Sequence, residues 1–489
     1  MTDVQPAAAD ETPAVLAVGI DDSGPLLDGI STRVLPLVVR ATLETFIRES
    51  EPPAKPGDVR ELPLPGQLPA RVLVAGVGEA SVGDLRLAGA ALGRAARTES
   101  LTVALPGVQG AELAALVEGA ILGGYRYEVK SEPHVPGAVF LAGIGDGDLA
   151  AVERGLAYGR GAVWARDLAN TRTSTKTPTW LAEQADRELT PLGVRVVSRD
   201  AQWLAEQGFG GVLAVGMSSV SPPCLVEATW RPRDATAGTR SRDATAGQHL
   251  VIVGKGITFD TGGYNLKPGE SMKTMFTDMA GGAAALGALR VLAALGAPVR
   301  VTALVPLAEN AVSGSAMRPG DVVRHYGGRT TEIRNTDAEG RIVLADALAY
   351  AAARLRPTAL VDIATLTGGV KVALGTGTAG YFATSDDLAA ELARAASATG
   401  EPLWRLPFLD EHESQLDSDI ADANNSAGNP QAITAAMFLR PFAGSAPWAH
   451  VDIAGTARAL SDGALAGKGA TGFGARLLAS WAESHAARG

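Results

Sequence analysis

Two short acidic clusters hold the residues best suited to chemistry. In the first, Gly254-Lys255-Gly256-Ile257-Thr258-Phe259-Asp260-Thr261-Gly262-Gly263 is followed by Lys267, then by Asp278 at the start of an Ala/Gly-rich stretch. In the second, Asn335-Thr336-Asp337-Ala338-Glu339-Gly340-Arg341 leads into an apolar run beginning at Ile342. Taken singly, each has an ordinary reading. Asp278 suits a helix N-cap, Lys255 a solvated loop, and the second cluster a helix start favoured by capping and by the helix dipole. A phosphate cradle around Lys255 is disfavoured, because the Gly-x-x-x-x-Gly-Lys-Ser/Thr arrangement is absent.

Taken together, Asp260, Asp278, Asp337 and Glu339 are four acids on segments that a parallel sheet would gather at one edge. Such acids repel one another unless cations sit among them. Oxygen-rich sites suit Mg2+ or Mn2+, and Zn2+ also accepts carboxylates. Two such ions about 3.5–4 Å apart would hold a bridging hydroxide and stabilise the tetrahedral intermediate of amide hydrolysis. Lys255 could join them only as a neutral amine, which requires desolvation and an adjacent cation to lower its proton affinity. Other ligand types are scarce. Cys224 is the single cysteine, and His134, His249, His325, His412, His450 and His485 never take the His-Glu-x-x-His spacing.

The elements that must position these residues are legible as alternating patterns. From residue 250 onward the sequence predicts a strand at Leu250–Val253, a helix from Met279 to about Leu295, a strand at Val299–Pro306, a helix at Arg341–Leu355 and a strand at Ala359–Ile363. This reads as parallel βαβ units, a mostly parallel sheet with helices on both faces, whose strand ends carry the polar residues. Upstream, the apolar runs Ala14–Val18, Arg71–Ala75 and Leu101–Leu105 alternate with helix-like Leu85–Arg97 and Ala111–Leu122, as in a small α/β domain. The expected division is an N-terminal domain over 1–160, a linker over 161–178 and a catalytic domain over 179–489. The hexapeptide Arg-Asp-Ala-Thr-Ala-Gly occurs at Arg233–Gly238 and again at Arg242–Gly247. Two copies suggest a duplicated surface loop rather than a repeat architecture.

Length and composition set the outer bounds. The chain has 489 residues, 46% hydrophobic and 20% charged, with 58 Gly and 28 Pro, which suits an α/β protein of two or three domains. A net charge of -10 argues against nucleic-acid partners and anionic membranes, which need a basic face. Asp3, Asp10 and Glu11 do not suit a signal or transit peptide. The most apolar long stretch, Ala283 to Gly296, contains Arg290 and falls short of the roughly 20 residues that span a bilayer. A soluble cytoplasmic protein is expected.

The segment Asn335-Thr336-Asp337-Ala338-Glu339-Gly340-Arg341-Ile342-Val343-Leu344-Ala345-Asp346-Ala347-Leu348 resembles the signature of the leucyl aminopeptidase (cytosol aminopeptidase) family. Ile342, where Leu is usual, is its one conservative change. Four more segments agree in order: Gly254–Gly263, Val361–Gly368, Trp448–Ala457 and Lys468–Gly472. The resemblance covers the chain from about Arg160 onward. The N-terminal part agrees only in size and in an α/β, macro-domain-like character.

The resemblance implies a dinuclear metallopeptidase that hydrolyses the N-terminal peptide bond of small peptides with apolar first residues such as leucine. It implies Lys255, Asp260, Asp278, Asp337 and Glu339 as ligands of two divalent ions, Mn2+ or Zn2+ or Mg2+, with Asp260 and Glu339 bridging. Lys267 would polarise the scissile carbonyl, and Arg341 would anchor a bicarbonate acting as general base. Met275, Thr365, Gly368 and Ala454 would line the first side-chain pocket. Leu366 and Gly368 would offer backbone hydrogen bonds. A homohexamer of two stacked trimers is also implied. Some family members act as pathway-specific dipeptidases, of cysteinyl-glycine type for example, and some also bind DNA.

Three departures bear on these expectations. Phe276 stands where some members carry Lys, which predicts a more apolar pocket. Thr261, Tyr264 and Asn265 replace the usual residues after the bridging Asp, which could shift substrate preference. Asn170-Thr171-Arg172-Thr173-Ser174 lacks the Pro and second Asn of the usual interdomain motif.

Overall fold

In a computed structural model of the chain, the structure describes residues 2–7, 12–50, 53, 55–232 and 248–486. Both copies of the duplicated hexapeptide lie outside the described residues. The chain divides into two compact units: Met1–Val163 with Leu460–Gly469, and Trp164–Ala459 with Ala470–Gly489.

The first unit is built on one sheet, ordered Val4–Pro6, Val139–Leu141, Leu101–Ala104, Val15–Asp21, Arg71–Gly76, Val59–Pro63. The pairs along it are parallel apart from the antiparallel edge strand Val59–Pro63. Strands buried on both faces read as continuous apolar runs, and Val15–Ile20 is such a run. Helices Val82–Ala95 and Gly110–Gly124 pack backbone to backbone through glycines. A Cβ added at Gly89 or Gly119 would drive into the carbonyls of Leu116 and Arg86 respectively. Leu465, from the late segment, packs against this unit's core, and Arg94 donates to the Ala464 carbonyl.

The second unit holds a nine-stranded sheet. Its centre is parallel, in the order Trp448–Asp452, Ala359–Ala364, His249–Gly254, Arg300–Asn310. Antiparallel neighbours flank it: Ala379–Ala383 on one side, Cys224–Trp230 and then Arg195–Arg199 on the other. Val251, Val253, Leu304 and Leu360 share a core with the helices Gly210–Gly216, Glu339–Tyr350 and Gln431–Leu439. Helix Ala280–Ala294, apolar apart from Arg290, covers the other face, so Gly281 must pass against the Ile363 carbonyl without a side chain.

The expected mixed α/β architecture, with a mostly parallel sheet between helices, is thus present. The expected linker at 161–178 is mostly ordered structure. Helix Leu149–Asn170 runs through its first half, and only 171–177 is irregular before helix Pro178–Leu189 begins. No helix among the described residues is long and apolar enough to cross a membrane.

Candidate metal centre

The site forms where three strands of the second unit end. Strand Gly256–Asp260 pairs with Arg300–Asn310 and sets Asp260 opposite Asn310. Asn310 Nδ2 and the Gly262 N–H both donate to Asp260 Oδ1 at 2.8 Å, which fixes that carboxylate. Gly262 (φ +85°) and Gly263 (φ +62°) then turn the chain back in a conformation that side-chain-bearing residues rarely adopt. The turn closes with Lys267 N donating to Thr261 O at 2.9 Å, and Lys267 is thereby brought beside Asp260.

The second acidic segment is stitched to this turn by Thr336. Its Oγ1 donates to Gly262 O at 2.6 Å, and its N–H donates to Asn265 Oδ1 at 2.9 Å. Ligand oxygens of Asp260, Asp337 and Glu339 consequently all lie within 4.8 Å of one another. Lys267 Nζ bridges Asp260 Oδ2, at 2.8 Å, and Asp337 Oδ1. Lys255, between two strands, sends Nζ to Glu339 Oε1 at 2.8 Å, to Asp278 Oδ2 at 2.9 Å and to the Thr365 carbonyl at 2.9 Å. Asp278 joins the cluster through that ammonium rather than through the other acids.

Four carboxylates face two ammonium groups, so the cluster carries excess negative charge in a nearly solvent-free place. Burial, then Glu339 and Asp278, hold Asp260 well above the ordinary carboxylate range. Burial likewise pushes Asp278 up to about 6 and raises Asp337. Glu339 goes the other way: burial alone would raise it, but Lys255 and Lys267 together pull it below its ordinary value. Burial opposes the charge on Lys255 and Lys267 as well, yet the surrounding acids outweigh it and raise both. Among protein charges alone Lys255 is therefore an ammonium, and acting as a ligand would require it to release that proton.

These residues fit divalent cations. Glu339 Oε2 is buried with no hydrogen-bond partner, and an all-oxygen donor set with one potential amine suits hard or borderline ions. Arg341 is a second unsatisfied group. Burial lowers its pKa to about 10 and its Nε lacks a partner, so a buried cation is available for an anion.

The remaining expected residues sit around this cluster to different degrees. Thr365 Oγ1 donates to Asp278 Oδ1 at 2.7 Å, so it orients that acid. The N–H groups of Leu366 and Ala454 both bond Asp452 Oδ1, at 3.2 and 3.1 Å, which draws their loops together. Leu366 therefore has its carbonyl, not its N–H, to offer a substrate. Gly368 opens helix Gly368–Leu374, and half-buried Met275 begins the 3-10 turn Met275–Thr277 just before Asp278. Asn310, Thr336 and Asp452 were missed as site residues. Their positions at strand ends and beside the acids were the available signal.

A parallel sheet whose strand ends gather acids and lysines in this way suits a protein that holds metal ions through carboxylate ligands. The sequence profile of the cytosol aminopeptidase family, catalytic domain, matches residues 163–479, and that of its N-terminal domain matches residues 17–133. The chain belongs to the cytosol aminopeptidase family, whose members are metal-dependent hydrolases acting on peptide bonds. A "Probable cytosol aminopeptidase" of Roseiflexus castenholzii is 43% identical, over 84% of this chain and 87% of that protein. One of Geobacter sulfurreducens is 39% identical over 96% of each. Among solved structures, the bottromycin maturation enzyme BotP superposes with a TM-score of 0.82 at 35% identity, over 98% of this chain and 100% of that one, and has also been solved in complex with Mn.

Proposed function

We propose that the protein releases apolar first residues, leucine among them, from small peptides with two divalent ions bound at Lys255, Asp260, Asp278, Asp337 and Glu339. The observation that carries this reading is the triad of buried Asp260 and Glu339 with half-buried Asp337, the Glu339 oxygen being left unbonded. The manganese complex of BotP supports Mn2+ as one suitable ion, and Zn2+ fits the same donors. When bound, such ions would supply Lewis acidity towards the substrate's carbonyl and amino terminus and would lower the pKa of the attacking water.

The chain's own residues do the rest. Lys267, anchored between Asp260 and Asp337, donates to the scissile carbonyl oxygen and to the oxyanion that develops there. Arg341 is the residue that would hold a bicarbonate as proton acceptor. Met275, Thr365, Gly368 and Ala454 receive the first side chain, while the Leu366 carbonyl and the Gly368 backbone align the peptide. The homohexamer and the cytoplasmic location belong to the same reading. The acidic net charge speaks against DNA as a partner.

The test is hydrolysis of leucine amide and Leu-Gly by EDTA-treated protein before and after Mn2+ or Zn2+ is added. Failure with both metals and every first residue would sink the reading. The likeness to a bottromycin maturation enzyme over nearly the whole chain favours a second reading, a peptidase devoted to one pathway intermediate. A dipeptide panel varying only the first residue separates the two, since a broad profile counts against specialisation.

A further inference from the structure

Just beyond the departure at Asn170–Ser174 lies a lysine that has no exposure to solvent. Lys176 is 0% exposed, and its ammonium is held by two backbone carbonyls. Nζ donates to the Ala169 carbonyl at 2.9 Å, in the last turn of helix Leu149–Asn170, and to the Phe276 carbonyl. Arg172 lays its guanidinium over the Phe276 ring at 4.4 Å from the centroid, and Lys176 Nζ lies 5.8 Å from that centroid. The two cations come from one tight turn, in which the Thr175 and Lys176 N–H groups both reach the Arg172 carbonyl at 3.0 Å. Phe276 thus brings positive charge to its neighbourhood rather than making it simply apolar.

The position of that carbonyl matters. Met275–Thr277 is a single 3-10 turn, a poorly bonded geometry, held internally by Thr277 N to Thr274 O at 3.3 Å and Asp278 N to Met275 O at 3.2 Å. It joins Met275 to Asp278, and its middle carbonyl is fixed by Lys176. Keeping an ammonium in such a place is costly, since burial lowers the Lys176 pKa to about 7, the largest influence on it.

We propose that Lys176 is a positioning residue for the metal centre: by holding the Phe276 carbonyl it sets the aim of Asp278, while Arg172 on the Phe276 ring sets the wall beside Met275. This rests on Asp278 being a metal ligand. Groups that orient ligands through a bond typically cost about 10–100-fold in metal affinity when removed.

The experiment titrates Mn2+ into the EDTA-treated full chain by calorimetry, for wild type, Lys176→Met, Lys176→Arg and Arg172→Ala, with circular dichroism as the folding control. Lys176→Met is expected to weaken one of two Mn2+ sites by about 10–100-fold and leave the other unchanged, and Lys176→Arg to recover most of the loss. Arg172→Ala is expected to keep both sites and raise KM for bulky first residues at constant kcat. A folded Lys176→Met protein with unchanged Mn2+ binding overturns the proposal. Should Lys176→Met fail to fold, a folded Lys176→Arg protein in which both Mn2+ sites weaken equally, or an Arg172→Ala protein with unaltered KM, overturns it instead. Wild type that binds no Mn2+ would remove the metal-centre reading itself, and the proposal with it.

Discussion

A β-carbon at position 340 would lie 2.7 Å from Lys255 Nζ, so Gly340 provides the space that the buried ammonium occupies. Lys255 is held there on three sides, by Asp278, Glu339 and the Thr365 carbonyl. Gly340→Ala should displace it and, with it, the link between Asp278 and Glu339. We expect the fold to persist and metal affinity to fall by about 10–100-fold, as measured by Mn2+ titration of the EDTA-treated protein. Unchanged affinity would mean that Lys255 is not needed to hold the ions.

Removal of the acids and removal of the electrophile should separate cleanly. Asp337→Ala or Glu339→Ala is expected to abolish activity together with metal content, by elemental analysis. Lys267→Ala should retain metal and lower kcat by about 100–1,000-fold, the usual cost of one oxyanion donor. Metal retained in the Glu339 variant would contradict a bridging role.

Stability should decline in mild acid because of His249. This ring is buried, with Nε2 2.8 Å from Thr302 Oγ1 and Nδ1 3.2 Å from the Leu355 carbonyl. Burial, reinforced by Arg300, lowers its pKa from 6.5 to about 4. The unfolded chain therefore binds a proton between those values that the folded chain does not. The contribution is complete above about pH 6.5 and is lost as pH falls towards 4, amounting to about 3 kcal/mol. Urea unfolding at stepped pH should show this slope in wild type and a shallower one in His249→Leu; equal slopes would refute the assignment.

Gly119→Ala tests the close helix pair of the first unit. A methyl there meets the Arg86 carbonyl, and such overpacking typically costs about 1–3 kcal/mol. Calorimetry should show a lowered transition while Mn2+ binding stays as in wild type. A loss of Mn2+ binding would show that the two properties are not independent.

The parallel core and the clustering of acids were legible because both follow from local pattern. Leu250–Val253 and Ala359–Ile363 are apolar throughout, and strand ends in such sheets collect polar residues. The antiparallel strands Arg195–Arg199 and Cys224–Trp230 were not read, since their pairing depends on partners far along the chain. The same holds for Asn310 and Thr336, whose roles come from bonds to Asp260 and Gly262. Phe276 shows the limit of substitution logic. Its ring suggested a loss of charge, and only the fold reveals Arg172 stacked upon it.

The ten residues Leu460–Gly469 belong to the first unit although they follow almost all of the second in the chain. A ribosome making this protein must therefore finish most of the catalytic unit before Leu465 can reach the core it packs against. The N-terminal unit waits for its final segment until only Ala470–Gly489 of the catalytic unit is still to be made, and no single cut in the gene yields it whole.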